Sequence, residues 1–216
     1  MSGEVRVVDD VPHAFADLVA AEAPESIAFS GGDTARECYE VLVVADVEWS
    51  RVTAWFGDER WVPVDDPDSN EGMTRDILLD HVEAFDIRSM RNAGATADEA
   101  AAAYGRALRA APPIELVHLG LGVDGHTASL FPGSAALEES HHWVVTDADD
   151  LHPHPRLTVT LPMLASTRLV VFTVSGADKA DAFARVRAGD DLPATRVRAE
   201  RVIWLVDPAA AGDTRS

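Results

Sequence analysis

Short apolar runs alternate with helical patterns along almost the whole 216-residue chain, and this alternation restricts the fold more than any single motif. Val5–Val8, Ile27–Ser30, Val52–Phe56 and Glu115–Leu121 read as strands, as do Trp143–Thr146, Leu157–Leu161, Leu169–Val174 and Val202–Val206. Helical patterns fall between them. Val11–Glu22 has Asp10 as its cap and Pro12 in its first turn. Thr34–Val43, Ser69–His81 and Asp178–Arg187 follow the same 3.6-residue periodicity. Thr96-Ala97-Asp98-Glu99 is a capping box opening an alanine-rich helix that runs to Ala110, before Pro112-Pro113. The strand runs are nearly continuously apolar instead of alternating, which implies a mostly parallel sheet covered by helices on both faces. The chain carries no repeat, low-complexity tract or linker-like stretch, so one domain is expected over 1–216.

In sheets of this kind, ligands gather where loops leave the carboxyl ends of the strands, and the chemistry-bearing segments fall at such points. Ser30-Gly31-Gly32-Asp33-Thr34 is the first. Its two glycines let backbone N–H groups approach an anion, and the helix that follows contributes partial positive charge. Thr34 has two readings, a helix cap or a donor to a phosphate oxygen. Without the lysine of a P-loop, the turn does not fit a nucleoside triphosphate.

A second segment, Trp55-Phe56-Gly57-Asp58-Glu59-Arg60-Trp61-Val62-Pro63, leaves a strand directly. Arg60 offers a planar fork for a carboxylate or phosphate. Asp58 is a candidate to orient a histidine or to position a water. The plainer alternative is an ion pair inside the loop.

The third runs Leu119-Gly120-Leu121-Gly122-Val123-Asp124-Gly125-His126-Thr127-Ala128-Ser129-Leu130-Phe131-Pro132. Gly120, Gly122 and Gly125 match a dinucleotide fingerprint, but Pro132-Gly133 breaks the helix that a βαβ unit requires. A histidine two residues after an aspartate in a glycine loop is better explained as a positioned acid/base. Late in the chain, Arg156 precedes a strand, and Lys179, the only lysine, begins a helix, where a cation opposes the macrodipole. His141-His142 and His152-Pro153-His154 lack the spacing of a defined metal site, and no G-x-S-x-G elbow is present, although Ser129 follows His126 by three residues.

Composition limits the partners. A net charge of −19 disfavours nucleic acid and anionic membranes. An anionic substrate stays compatible, because distant surface charges are screened beyond about 8 Å at physiological salt. No apolar run approaches the length of a membrane span, the N-terminus lacks a secretory pattern, and Cys38 has no partner for a disulfide. A reducing, cytoplasmic setting is expected.

Taken together, the segments resemble the 6-phosphogluconolactonase family, most specifically through Gly57-Asp58-Glu59-Arg60 with Asp68-Ser69-Asn70, and Asp124 to Pro132. The resemblance reaches from the Ser-Gly-Gly turn to Trp204-Leu205-Val206-Asp207. Ala35 and Val123 stand where members often carry proline. It implies a Rossmann-like three-layer α/β/α fold and hydrolysis of 6-phospho-D-glucono-1,5-lactone. It further implies His126 as catalytic base aided by Asp58 and Arg60, and sugar phosphate held by Gly31, Gly32 and Thr34 with Arg156 and Lys179. Ser30 belongs to the same turn, and Asp124 is the second acidic candidate to orient His126. A δ-lactone is an activated ester, so water activated by a neutral histidine suffices, without covalent nucleophile, metal or cofactor. Two other readings keep the same fold or turn: a sugar-phosphate deaminase or isomerase, and a non-catalytic sugar-phosphate sensor.

Overall fold

A computed structural model describes residues 2–147 and 153–212. His152 lies outside the described residues. The chain opens with β1 (Glu4–Val7), α1 (Val11–Glu22), β2 (Ser26–Phe29) and α2 (Asp33–Leu42). It continues through β3 (Thr53–Phe56), β4 (Asp58–Arg60), α3 (Asn70–Thr74), β5 (Asp86–Ile87) and α4 (Ala97–Ala110). Then come β6 (Leu116–Gly120), β7 (Val144–Asp147), β8 (Arg156–Val159) and α5 (Leu161–Ala165). β9 (Leu169–Val174), α6 (Ala180–Ala188), α7 (Pro193–Arg196) and β10 (Arg201–Val206) complete it.

Seven strands form one sheet in the order β1-β10-β9-β6-β2-β3-β5, and every pairing in it is parallel. All carboxyl ends therefore point to one edge. With helices on both faces, this is the three-layer α/β/α, Rossmann-like arrangement expected from the alternating pattern. β9 and β10 explain the continuous apolar runs: all of Leu169–Val174 and five of the six residues of Arg201–Val206 are buried. Phe172 and Trp204 are register partners across these strands, and their rings stack with centroids 3.8 Å apart. Truncating either ring to alanine would cost about 3–5 kcal/mol at such a site.

The predicted caps are present. Asp10 accepts a hydrogen bond from the His13 N–H at 3.0 Å, and Thr96 accepts one from Glu99 N–H at 3.2 Å. Glu99 reaches back to the N–H of Ala95, one residue before the cap.

Four local expectations need correction. The Ser69–His81 pattern is an α-turn only from Asn70 to Thr74; a π-helical turn follows over Arg75–Leu79. Thr34 does not cap α2, because Gly32 occupies the cap position at φ 96° and no side chain closes that end. Asp58–Arg60 is not a free loop. It is a strand of a second, antiparallel sheet in the order β4-β8-β7, and Arg156 is the first residue of β8 rather than a residue before it. Among the described residues no helix is long and apolar enough to cross a membrane.

Candidate active site

Loops at the carboxyl ends of β2, β6 and β9 and one end of the small sheet enclose a cleft of about 290 Å³. The β2–α2 turn contributes Ser30, Gly31, Gly32 and Thr34; β4 contributes Asp58 and Arg60. His126 enters from the loop after β6, Arg156 from β8 and Lys179 from the turn after β9. The structure thus brings together every sequence-predicted site residue except Asp124, which sits directly behind His126.

The Asp124-Gly125-His126 spacing has a local cause. Asp124 Oδ1 accepts from the His126 backbone N–H at 3.0 Å, an Asx-turn, and from the His126 ring at Nδ1 at 2.6 Å. An ionised carboxylate can only accept, so Nδ1 carries the proton and Nε2 keeps its lone pair. Burial pushes the Asp124 carboxyl upward, but hydrogen bonds and charge from His126 outweigh it and hold the group below its usual value. Gly125 N–H donates to the Gly122 carbonyl, and Gly122 N–H to the His126 carbonyl, both at 2.9 Å. Gly122 is required by close approach: a Cβ there would lie 2.0 Å from His126 Nδ1. Phe131 tilts against the imidazole, centroids 4.7 Å apart.

Asp58 has different work. One carboxylate oxygen accepts from Ser129 Oγ at 2.7 Å and the other from Asn70 Nδ2 at 3.2 Å, so the hydrogen bond that orients His126 comes from Asp124. Asn70 also donates to the Asp58 carbonyl at 3.0 Å. Its amide lies so near the phosphate-type turn that a Cβ on Gly31 would fall 1.8 Å from Asn70 Oδ1. Asn70 therefore ties the turn, Asp58 and the cleft together.

Glu59, the middle of the Asp-Glu-Arg triplet, is neither a ligand nor half of an ion pair within the loop. It is buried, and its carboxylate accepts from the backbone N–H groups of Arg60, Asn70 and Glu71 and from Ser69 Oγ, all within 2.9 Å. Burial raises this carboxyl above its usual range against the pull of those donors. The contact explains why Gly-Asp-Glu-Arg and Ser-Asn occur together: Glu59 bolts the start of α3 to β4.

The cations are placed where the protein's own charge does not neutralise them all. Arg60 Nη1 donates to the Asp68 carbonyl at 2.7 Å, its Nε is buried without a partner, and among the described residues no carboxylate comes within ion-pair distance. In a chain of net charge −19, such a guanidinium is available to an outside anion. Lys179 ends a short 3₁₀ turn and, among the described residues, its one ion pair is with neighbouring Asp178, at 3.3 Å. The open end of α2 faces the same cleft.

Asp207 fixes the β9 side of the cleft, accepting from Ser175 Oγ and Gly176 N–H at 2.7 and 2.8 Å. Beneath the β2–α2 turn lies a residue that the sequence pattern concealed. His118 is fully buried inside β6, its ring 2.9 Å from Tyr39 Oη and 2.8 Å from Thr173 Oγ1, with Phe15 stacked on it. Tyr39 in turn bonds both the N–H and the carbonyl of Ser30.

Comparison with known proteins agrees with this geometry. The family model for glucosamine-6-phosphate isomerases/6-phosphogluconolactonase matches residues 4–204. The chain belongs to this family. It is 36% identical over 212 residues to a 6-phosphogluconolactonase of Synechocystis, covering 91% of this chain and 88% of that protein. The corresponding figures for the 6-phosphogluconolactonase of Mycobacterium tuberculosis are 37% over 213 residues, 89% and 86%. A crystal structure of 6-phosphogluconolactonase from Leishmania guyanensis superposes with a TM-score of 0.84 at 27% identity, over 100% of both chains.

Of the histidines weighed as metal ligands, His142 and His154 face carboxylates. His142 Nδ1 lies 3.0 Å from Glu139, and His154 Nε2 lies 3.2 Å from Asp68. Among the described residues no group of three or more His, Cys, Asp or Glu side chains is arranged to hold a metal. Cys38 is buried, which pushes its thiol up to about 12.

Proposed function

We propose that this chain hydrolyses 6-phospho-D-glucono-1,5-lactone to 6-phosphogluconate, with His126 as the base that activates water. The observation that carries this reading is the His126 ring itself. Its Nδ1 proton is committed to Asp124 at 2.6 Å, leaving Nε2 basic in a cleft that also presents Arg60, Arg156, Lys179 and an uncapped helix end. The curated relatives that match over most of the chain carry the same activity in their names.

In this reading the phosphate lies at the Gly31-Gly32-Thr34 turn with Arg156 and Lys179, and the lactone end lies beside His126. Water loses a proton to Nε2 as it attacks the carbonyl carbon. The resulting oxyanion is stabilised by the Arg60 guanidinium. Collapse of the tetrahedral intermediate breaks the bond to the ring oxygen, and His126 returns the proton to that oxygen. Asp124 fixes the tautomer and balances the transient imidazolium. Asp58, bonded to Ser129 and Asn70, holds the walls and acts through them. No step requires a metal or a cofactor. The whole of 1–216 acts as one domain in the cytoplasm on a small phosphorylated lactone.

The test generates the lactone in place and follows the formation of 6-phosphogluconate against the buffer rate. Acceleration by the wild type and its loss in His126→Asn, with product binding retained, is the expected result. Wild-type-like turnover in that variant would remove His126 from the mechanism. Release of ammonia from glucosamine 6-phosphate would instead assign the deaminase reaction, and binding without acceleration would leave a sensor.

A further inference from the structure

Among the described residues, the cleft wall contains a buried hydroxyl that no group of the protein satisfies. Thr127 lines the cleft immediately after His126, is 1% exposed, and its Oγ1 is buried without a hydrogen-bond partner. The other buried hydroxyls on that wall are engaged: Ser30 Oγ donates to the His118 carbonyl, and Thr173 Oγ1 bonds the His118 ring. Ser129, two residues on, is bonded to Asp58. A buried hydroxyl left unsatisfied costs stability, and such groups in native proteins call for an explanation.

The next residue has a second irregularity. Ala128 also lines the cleft and sits at φ 48°, a left-handed conformation that a residue with a Cβ rarely adopts. The turn is held by the Leu130 N–H on the Thr127 carbonyl at 2.9 Å and by the Asp58–Ser129 bond. Strain and an orphaned hydroxyl thus occupy consecutive positions beside the base. The surroundings hold Thr127 in place without satisfying it, as expected of a group kept for something that enters the cleft.

We propose that the Thr127 hydroxyl contacts the substrate directly, donating a hydrogen bond to an oxygen at the lactone end, and so helps to select a cyclic ester next to His126. This rests on the lactonase reading above. It assigns Thr127 a binding contact that is distinct from proton transfer by His126 and from phosphate capture at the β2–α2 turn.

The experiment compares wild type, Thr127→Val and Thr127→Ser in kcat and KM for the lactone, in the pH profile of kcat/KM, and in thermal midpoint without ligand. Valine keeps the shape and removes the hydroxyl. The expected result is a loss of kcat/KM of about tenfold or more in Thr127→Val and near-complete recovery in Thr127→Ser. The acid limb should stay unmoved in both. The thermal midpoint of Thr127→Val should equal or exceed that of wild type, because an unsatisfied buried hydroxyl has been removed. Unchanged kcat/KM in Thr127→Val overturns the contact. A lowered midpoint would mean that the hydroxyl has a protein partner, and a shifted acid limb that it acts on His126; either also overturns it. If wild type fails to accelerate lactone hydrolysis, it is the lactonase reading that falls.

Discussion

Arg60 and Arg156 stand directly opposite each other in the antiparallel β4–β8 ladder. Residues so paired project from the same face of a sheet, and like charges facing there are destabilising, by roughly 0.2–1 kcal/mol. Across the other edge of β8, Arg156 has Asp147 as its register partner, so the three-stranded sheet aligns Arg60, Arg156 and Asp147 in one row. The small sheet is therefore more than a brace for the large one. It delivers two guanidinium groups to the cleft from segments nearly a hundred residues apart.

That pairing makes Arg156→Gln informative. The KM for the phosphorylated lactone should rise by tenfold or more, with a smaller change in kcat, because binding energy is lost at a distance from the reacting carbon. The unfolding midpoint without ligand should hold; inorganic phosphate should raise the wild-type midpoint, and that rise should shrink in the variant. Unchanged KM together with an unchanged phosphate shift would remove Arg156 from the anion site.

Asp124→Asn tests whether the carboxylate fixes the tautomer of the base. The carboxylate lies 2.6 Å from His126 Nδ1 and can only accept there. An amide in its place also offers an N–H, which favours the wrong tautomer, so kcat should fall by about a hundredfold or more while KM changes little. Steady-state kinetics of the variant against wild type would check this. Undiminished kcat would mean that Asp124 does not act on the base.

Asp124 and His126 were legible in the sequence because their contact is local, an Asx-turn with Gly125 inside it and Gly122 just before it. The large sheet was legible for a similar reason: strands such as Leu169–Val174 are buried along their whole length and read as unbroken apolar runs. β4 was not. Three charged residues show no strand pattern, and they pair only because β8 arrives from far along the chain. Glu59 and Asn70 stand in recognisable motifs, but their joint task needs the fold that places α3 against β4. His118 is hidden inside an apolar run and shows itself only through Tyr39 and Thr173. Thr127 left no trace at all, since the want of a partner cannot be seen in one dimension.

Gly122 offers a steric test of the base's position. Its missing Cβ would fall 2.0 Å from His126 Nδ1 and 2.2 Å from Cε1, so Gly122→Ala must displace the ring or the loop. Misplacement of a reacting group by about 1 Å can cost on the order of 100-fold in rate. We expect kcat to fall by about that factor, while product binding, which depends on the phosphate end, changes little. Wild-type kcat in Gly122→Ala would show that the loop yields without moving the base.

His118 should make the fold acid-sensitive below about pH 6.5. Burial lowers its pKa to about 3, whereas an unfolded chain carries a histidine near 6.5. Above about pH 6.5 both states are neutral at this position and it adds no slope. As the pH falls from about 6.5 towards about 3, the unfolded chain binds a proton that the folded chain refuses, so stability is lost throughout that interval. At pH 5 the loss amounts to about 2 kcal/mol from this residue alone. Urea unfolding of wild type at pH 7 and pH 5 should show a drop of that order, and His118→Gln, even if less stable at pH 7, should show a much smaller one. Equal drops in the two proteins would mean that the buried imidazole is not the group responsible, and that the network from Thr173 through His118 to Tyr39 and Ser30 tolerates protonation.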